Sequence, residues 1–264
     1  MSDLLNLSKE QSLELLNLRK ERVELLCLDK KPLQNLVSRV SVVLDYSISM
    51  ENLYKKGIVQ AVLEKLFPIA LQFDDNGEME LWIFSDDFHR LPNITMDNYY
   101  GYIDREVIKY RMGGTQYAPP MKDIYQKYIH EDPANIPNYV IFITDGDNQD
   151  KDVTKQVITQ ISHAPIFWQF VGIGRASFSF LEQLDEMDGR YVDNANFFKI
   201  DNIYDANDDI LYNQLLAEYP QWLEYPEVKQ MIAAQGPHHK NLLEMDAQSG
   251  NMGKKKGFFG RLFG

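Results

Sequence analysis

The chain has 264 residues, of which 44% are hydrophobic, 25% charged and 12% aromatic, a balance that suits a globular protein with a sizeable core. Net charge is −12 and unevenly spread: residues 1–37 hold six acidic and six basic side chains, residues 237–264 carry +3, and residues 38–236 carry −15. Such an acidic body argues against nucleic acid as a main partner; no apolar run is long enough to span a membrane, and a single cysteine, Cys27, allows neither an intramolecular disulfide nor a cysteine metal knuckle.

In chain order, "MSDLLNLSKE" has no basic region of the secretory type, so a cytoplasmic protein is expected. Ser8 to Lys31 fits an amphipathic helix, although "RVELLCL" within it also suits a strand, and residues 1–37 read as an N-terminal extension packed on the main domain. From Val40 the pattern alternates between strands and helices. "RVSVVLD" is a buried strand, "MENLYKKGIVQAVLEKLFPIALQFDD" one long helix kinked at Pro68, "MELWIFSDD" and "FHRLP" two strands, and "MDNYYGYIDREVIKY" a partly helical stretch. There follow a helix opening on prolines ("APPMKDIYQKYIHED"), a strand ("NYVIFITDGD"), a helix ("DVTKQVITQISH"), a strand ("PIFWQFVGIG"), a helix ("FSFLEQLDEM") and a strand ("NFFKID"). A helical run from "DANDDIL" to Gln235 breaks near Pro220. Alternation of this kind predicts an α/β, Rossmann-like, doubly wound and mainly parallel sheet with helices on both faces, with any ligand site at the carboxyl ends of the strands.

Two strands end in aspartate. "VSVVLDYSISM" closes on Asp45, Ser47 and Ser49, and "FITDGD" presents Asp145 and Gly146; between them "RMGGTQYAPP" sets Thr115 after Gly113 and Gly114. Serine or aspartate after a strand is also a common helix cap, so each piece alone says little. The three together, in order and at strand ends, resemble the von Willebrand factor A (vWA) domain with its metal-ion-dependent adhesion site. The phrases "LDYSISM", "IFSDDFHRLP", "GGTQYAPPM" and "FITDGDN" look closest to the bacterial TerF-like branch, associated with tellurium resistance and stress operons, and the resemblance covers residues 38–235.

The resemblance implies a bound Mg²⁺, with Mn²⁺ or Ca²⁺ as alternatives. Ser47 and Ser49 would ligate directly, and Asp45, Thr115 and Asp145 directly or through water. A carboxylate from a protein partner would fill the open position. Gly113, Gly114 and Gly146 would support the loops. Hard oxygen donors on short side chains suit such a cation. The family usually has glycine where this chain has Ile48, a position that is not a ligand. Asp86, Asp87 and Asp147 read as loop carboxylates, Cys27 as a core residue, and the histidines show no metal-ligand spacing. The chain has no Gly-rich phosphate loop and no evident catalytic pair, so a protein-interaction module rather than an enzyme is expected. The alternatives are an accessory subunit of an ATPase or chelatase complex, a metal-assisted hydrolase, and a structural domain with an empty site.

Residues 236–264 read as a flexible basic and aromatic tail. Its end, "KKKGFFGRLFG", sets Phe258, Phe259, Leu262 and Phe263 among four cations. Such residues suit a docking motif for a groove or a weak contact with a membrane surface, as well as a solvated end.

Overall fold

The structure is a computed structural model that describes residues 7–74, 76–146, 148–201 and 206–235. The chain opens with α1 (Lys9–Leu28), started by a capping box in which the Ser8 hydroxyl accepts from the Gln11 N–H while the Gln11 side chain accepts from the Ser8 N–H. The helical reading of this segment therefore holds. A short turn at Lys31–Leu33 leads to β1 (Arg39–Asp45).

The long helix expected next is two helices, α2 (Glu51–Lys55) and α3 (Ile58–Phe73). They part at Gly57, whose φ of +70° lies in the left-handed region where glycine is the least strained residue. Helix α3 runs through Pro68 as one element. Next come β2 (Met79–Phe84), β3 (Phe88–Ile94), α4 (Ala118–Gln126), β4 (Asn138–Thr144), α5 (Lys151–Ile161), β5 (Ile166–Ile173), α6 (Ser179–Asp185) and β6 (Ala195–Ile200). The C-terminal run breaks twice, giving α7 (Asp208–Leu215), α8 (Tyr219–Glu224) and α9 (Pro226–Ala234). The first break lies just before Pro220 and the second at Pro226, because proline suits the first turn of a helix and not its interior.

The six strands form one sheet in the order β3-β2-β1-β4-β5-β6, parallel except for the β2–β3 pair. Edge strand β3 carries Pro92, which a central strand would not tolerate. One apolar cluster packs α1, α3 and α7–α9 on one face through Val40, Val42 and Leu44. A second packs α4–α6 on the other face through Val43, Trp82 and Phe84. Both faces are covered, which is why the central strands read as continuous apolar runs. Helix α1 places Leu16, Val23 and Cys27 in the first cluster, so it shares the core of the domain. Burial pushes the Cys27 thiol up to about 11, which suits a core residue and not a nucleophile. Tyr99 and Tyr102 are buried too, so the "NYYGYI" aromatics pack under their loop.

The strand order reverses between β1 and β4. In a doubly wound sheet a crevice opens there, at the carboxyl ends of the two strands. The loops that leave β1 and β4 therefore converge on one place.

Candidate metal centre

Register pairs Leu44 with Ile143, which sets Asp45, the last residue of β1, beside Thr144, the last residue of β4. Asp45 is wholly buried. One carboxylate oxygen accepts from the Ser47 N–H at 2.8 Å and the other from the Thr144 hydroxyl at 2.6 Å. The first bond closes a turn typical of aspartate, in which the side chain binds the backbone two residues on. The turn brings the Ser47 and Ser49 hydroxyls to 2.9 Å of each other, and the Ser49 hydroxyl donates to an Asp145 oxygen at 2.8 Å. Asp45, Ser47, Ser49 and Asp145 thus form one continuous hydrogen-bonded set. Ser47 stands at the N-cap position of the helical turn at Ile48–Met50, but neither serine hydroxyl makes a capping hydrogen bond to that turn or to α2. Below the set, the Tyr54 hydroxyl of α2 donates to the Asp45 carbonyl at 2.9 Å.

The third loop joins through its backbone. Ser47 and Gly113 form an isolated parallel bridge, with the Ile48 N–H donating to the Gly113 carbonyl at 3.0 Å. The Thr115 carbonyl accepts from the Gln149 N–H at 2.9 Å, and the Gln116 N–H donates to the Ser85 carbonyl at 3.1 Å. The segment that carries Thr115 is therefore tied to the loops after β1, β2 and β4. The Thr115 hydroxyl itself makes no hydrogen bond with the described residues, unlike the other four side chains predicted for the site.

Two residues outside that prediction set this loop. The Asp150 carboxylate accepts from the N–H groups of Tyr117 and Ala118 at 3.0 and 2.9 Å, capping α4 from the β4 loop. Asn148 holds Asp150 in turn, at 2.6 Å. Asp86, read as a loop carboxylate, lies over the Gly113–Gly114 turn, where a Cβ at either glycine would collide with its carboxylate. Neither glycine has positive φ, so the turn needs glycine for room. Gly146 needs neither: beyond its chain neighbours no described atom lies within 4 Å of a Cβ placed there. Its carbonyl contributes instead, accepting from the Tyr117 hydroxyl. Asp147, Phe258, Phe259, Leu262 and Phe263 lie outside the described residues.

Two carboxylates meet here with no cationic side chain paired to either among the described residues. Burial pushes the Asp45 carboxyl up to about 6, against the pull of hydrogen bonds from Ser47 and Thr144 and with a further push from Asp145. Burial also raises Asp145, opposed by the Ser49 hydroxyl. Neither carboxylate forms an ion pair among the described residues. No group of three His, Cys, Asp or Glu side chains gathers among them either, so the donors here are two carboxylates with hydroxyls. Ile48, between the two serines, is 66% exposed at the rim.

A six-stranded sheet in this order, with Asp-x-Ser-x-Ser at its switch point, defines a vWA-type α/β domain. A sequence model of the vWA-TerF-like family, the vWA domain found in the TerF C terminus, matches residues 37–232, and the chain belongs to that family. The Bacillus subtilis (strain 168) protein YcbR is 40% identical over 252 residues, which are 94% of this chain and 98% of YcbR. Among solved structures, the SpRpn10 VWA domain superposes with a TM-score of 0.50 at 13% identity, over 68% of this chain and 95% of that one. Proximal thread matrix protein 1 from the mussel byssus superposes with a TM-score of 0.51 at 14% identity, over 75% of this chain and 47% of that one. These two likenesses are of fold alone. No helix among the described residues is long and apolar enough to cross a membrane.

Proposed function

We propose that the chain is a protein-interaction module that binds one divalent cation, Mg²⁺ first, between the loops after β1 and β4. Ser47 and Ser49 ligate it directly. Asp45, Thr115 and Asp145 do so directly or through water, and a carboxylate from a partner protein takes the open position. The observation that carries this reading is the convergence of Asp45, Ser47, Ser49 and Asp145 into one hydrogen-bonded set of oxygens at the sheet's switch point, and their spacing is compatible with it. Neighbouring ligands of an octahedral Mg²⁺ with bonds of about 2.1 Å stand roughly 3.0 Å apart. The Ser47–Ser49 and Ser49–Asp145 separations of 2.9 and 2.8 Å are close to that edge. Two unpaired carboxylates and hard hydroxyl donors supply the charge and chemistry such a cation prefers, and soft metals gain little there.

The bound cation would supply positive charge for a partner carboxylate; Thr144, Tyr54 and the Asp86 and Asp150 contacts fix the loops that hold the ligands. We read the module as a non-catalytic cytoplasmic component of a bacterial stress or tellurium-resistance type system; the family match supports the vWA-TerF-like part of that reading. Isothermal titration of the full chain with Mg²⁺ tests it. One site is expected, lost in Asp45→Ala with the fold intact by circular dichroism. Wild-type protein that binds none of Mg²⁺, Mn²⁺ and Ca²⁺ would refute the reading.

A further inference from the structure

Helix α1 has two apolar faces. Leu16, Val23 and Cys27 point into the core. Leu18, Leu25 and Leu28 are 56%, 63% and 64% exposed. At about 100° per residue Leu18 and Leu25 lie roughly half a turn from the buried ones and Leu28 about a third of a turn, so no packing need of the domain explains them. Glu14 and Glu21 share their side of the helix and form no ion pair with the described residues. The outward face therefore interleaves exposed leucines with carboxylates that have no ionic partner among the described residues.

The complement of that face lies in the same chain. We propose that residues 254–264, KKKGFFGRLFG, fold back onto the outer face of α1, their aromatic and leucine side chains on Leu18, Leu25 and Leu28 and their cations beside Glu14 and Glu21. Three observations favour this occupant over a second copy or a membrane. The segment is basic where the helix face has free acid, while a second α1 would bring its own carboxylates up against those of the first. Its root lies on the same face of the sheet as α1: the described chain ends at Gln235 after α9, α9 packs on α8, and α8 packs on the turn that immediately follows α1. The span also fits. Eighteen residues separate Gln235 from Lys254, and a coil of that length covers about 25 Å. Helix α1, with its 20 residues, is about 30 Å long. A tether of this length raises the effective concentration of a weak contact. The proposal is independent of the cation reading.

Limited trypsinolysis of the full chain tests it, since docking shields Lys254–Lys256 and Arg261. Release of the terminal fragments is expected to speed up at least five-fold in Leu18→Asp/Leu25→Asp. The same increase is expected in Phe258→Ser/Phe259→Ser/Phe263→Ser, and in both cases the rates should not depend on protein concentration. Hydrogen exchange of residues 14–28 should quicken in parallel. The leucines are surface residues, so circular dichroism should stay that of wild type. Equal cleavage and exchange in wild type and both variants would overturn the proposal. So would protection that grows with concentration alongside a dimer in sedimentation, which makes a second copy the occupant. Protection that appears only with vesicles containing phosphatidylglycerol would transfer the segment to a membrane and overturn it too.

Discussion

As placed, the Asp86 carboxylate occupies the space a side-chain carbon would take at Gly113 or Gly114, and this makes the turn that carries Thr115 testable one atom at a time. In Gly114→Ala the new methyl meets the Asp86 carboxylate and the Gln149 side chain, both at exposed ends able to swing aside. The expected loss is about 1–2 kcal/mol by urea denaturation. Asp86→Ala should recover about 1 kcal/mol of it in a double-mutant cycle. Strict additivity of the two changes would mean that the collision is relieved elsewhere. The glycines and Thr115 were legible in the sequence as a Gly-Gly-Thr turn. Asp86 was not, because its role depends on the β2 loop passing over a segment almost thirty positions later, and nothing local in "FSDDF" records that crossing. Asp150 escaped for a similar reason: it caps a helix that begins 32 residues before it.

Between elements, the hidden device is Asp208 at the start of α7. It pairs with Arg19 of α1 at 3.0 Å and Lys65 of α3 at 2.9 Å, with 6% and 4% of those basic side chains exposed. The three helices on one face of the sheet are joined through this single carboxylate. Burial alone would raise Asp208, but the two cations outweigh it and hold the group below its ordinary 3.8. A carboxyl depressed in the folded state contributes stability above its unfolded value and loses it as pH falls through the lower folded one. Asp208→Asn leaves two buried cations unpaired, so it should cost about 3 kcal/mol at pH 7. The gap from wild type should narrow as pH falls from about 4 toward the lower folded value, through which wild type loses the same charge. Denaturation at pH 7 and pH 3 measures both, and a gap that does not change with pH would show that the network does not act through charge. The strands, by contrast, could be read in advance almost residue by residue, since Val, Ile and Phe buried on both faces leave a continuous apolar run. Helix α1 was harder. Its leucines face both core and solvent, so its periodicity was blurred and a strand stayed plausible; the Ser8–Gln11 capping box seen in the structure is a local helix signal that the periodicity did not use.

Across the whole molecule, the two apolar clusters hold β1 and β4 rigidly side by side, and the fold uses that rigidity to bury Asp45 beside Asp145 with no counter-ion among the described residues. A buried, unpaired carboxylate next to another one is destabilising unless a cation arrives. The cation-binding reading therefore predicts a crossing of stabilities. In Asp45→Asn the amide oxygen can still accept from the Ser47 N–H. The amide nitrogen can face Thr144, whose hydroxyl can turn to the Gly146 carbonyl, 3.4 Å away. The shape is kept and the charge is gone, so without metal the variant should melt above wild type, by on the order of 1–3 kcal/mol. With Mg²⁺ at about a hundred times its Kd, wild type should gain about 2.7 kcal/mol. For a domain of this size that is about 5–10 °C in Tm, and the variant should gain nothing. Calorimetry with chelator and then with excess Mg²⁺ reads all four states. A variant that melts below wild type in chelator would mean that the Asp45 hydrogen bonds to Ser47 and Thr144 outweigh its buried charge. A variant that gains as much as wild type from Mg²⁺ would move the cation away from Asp45 altogether.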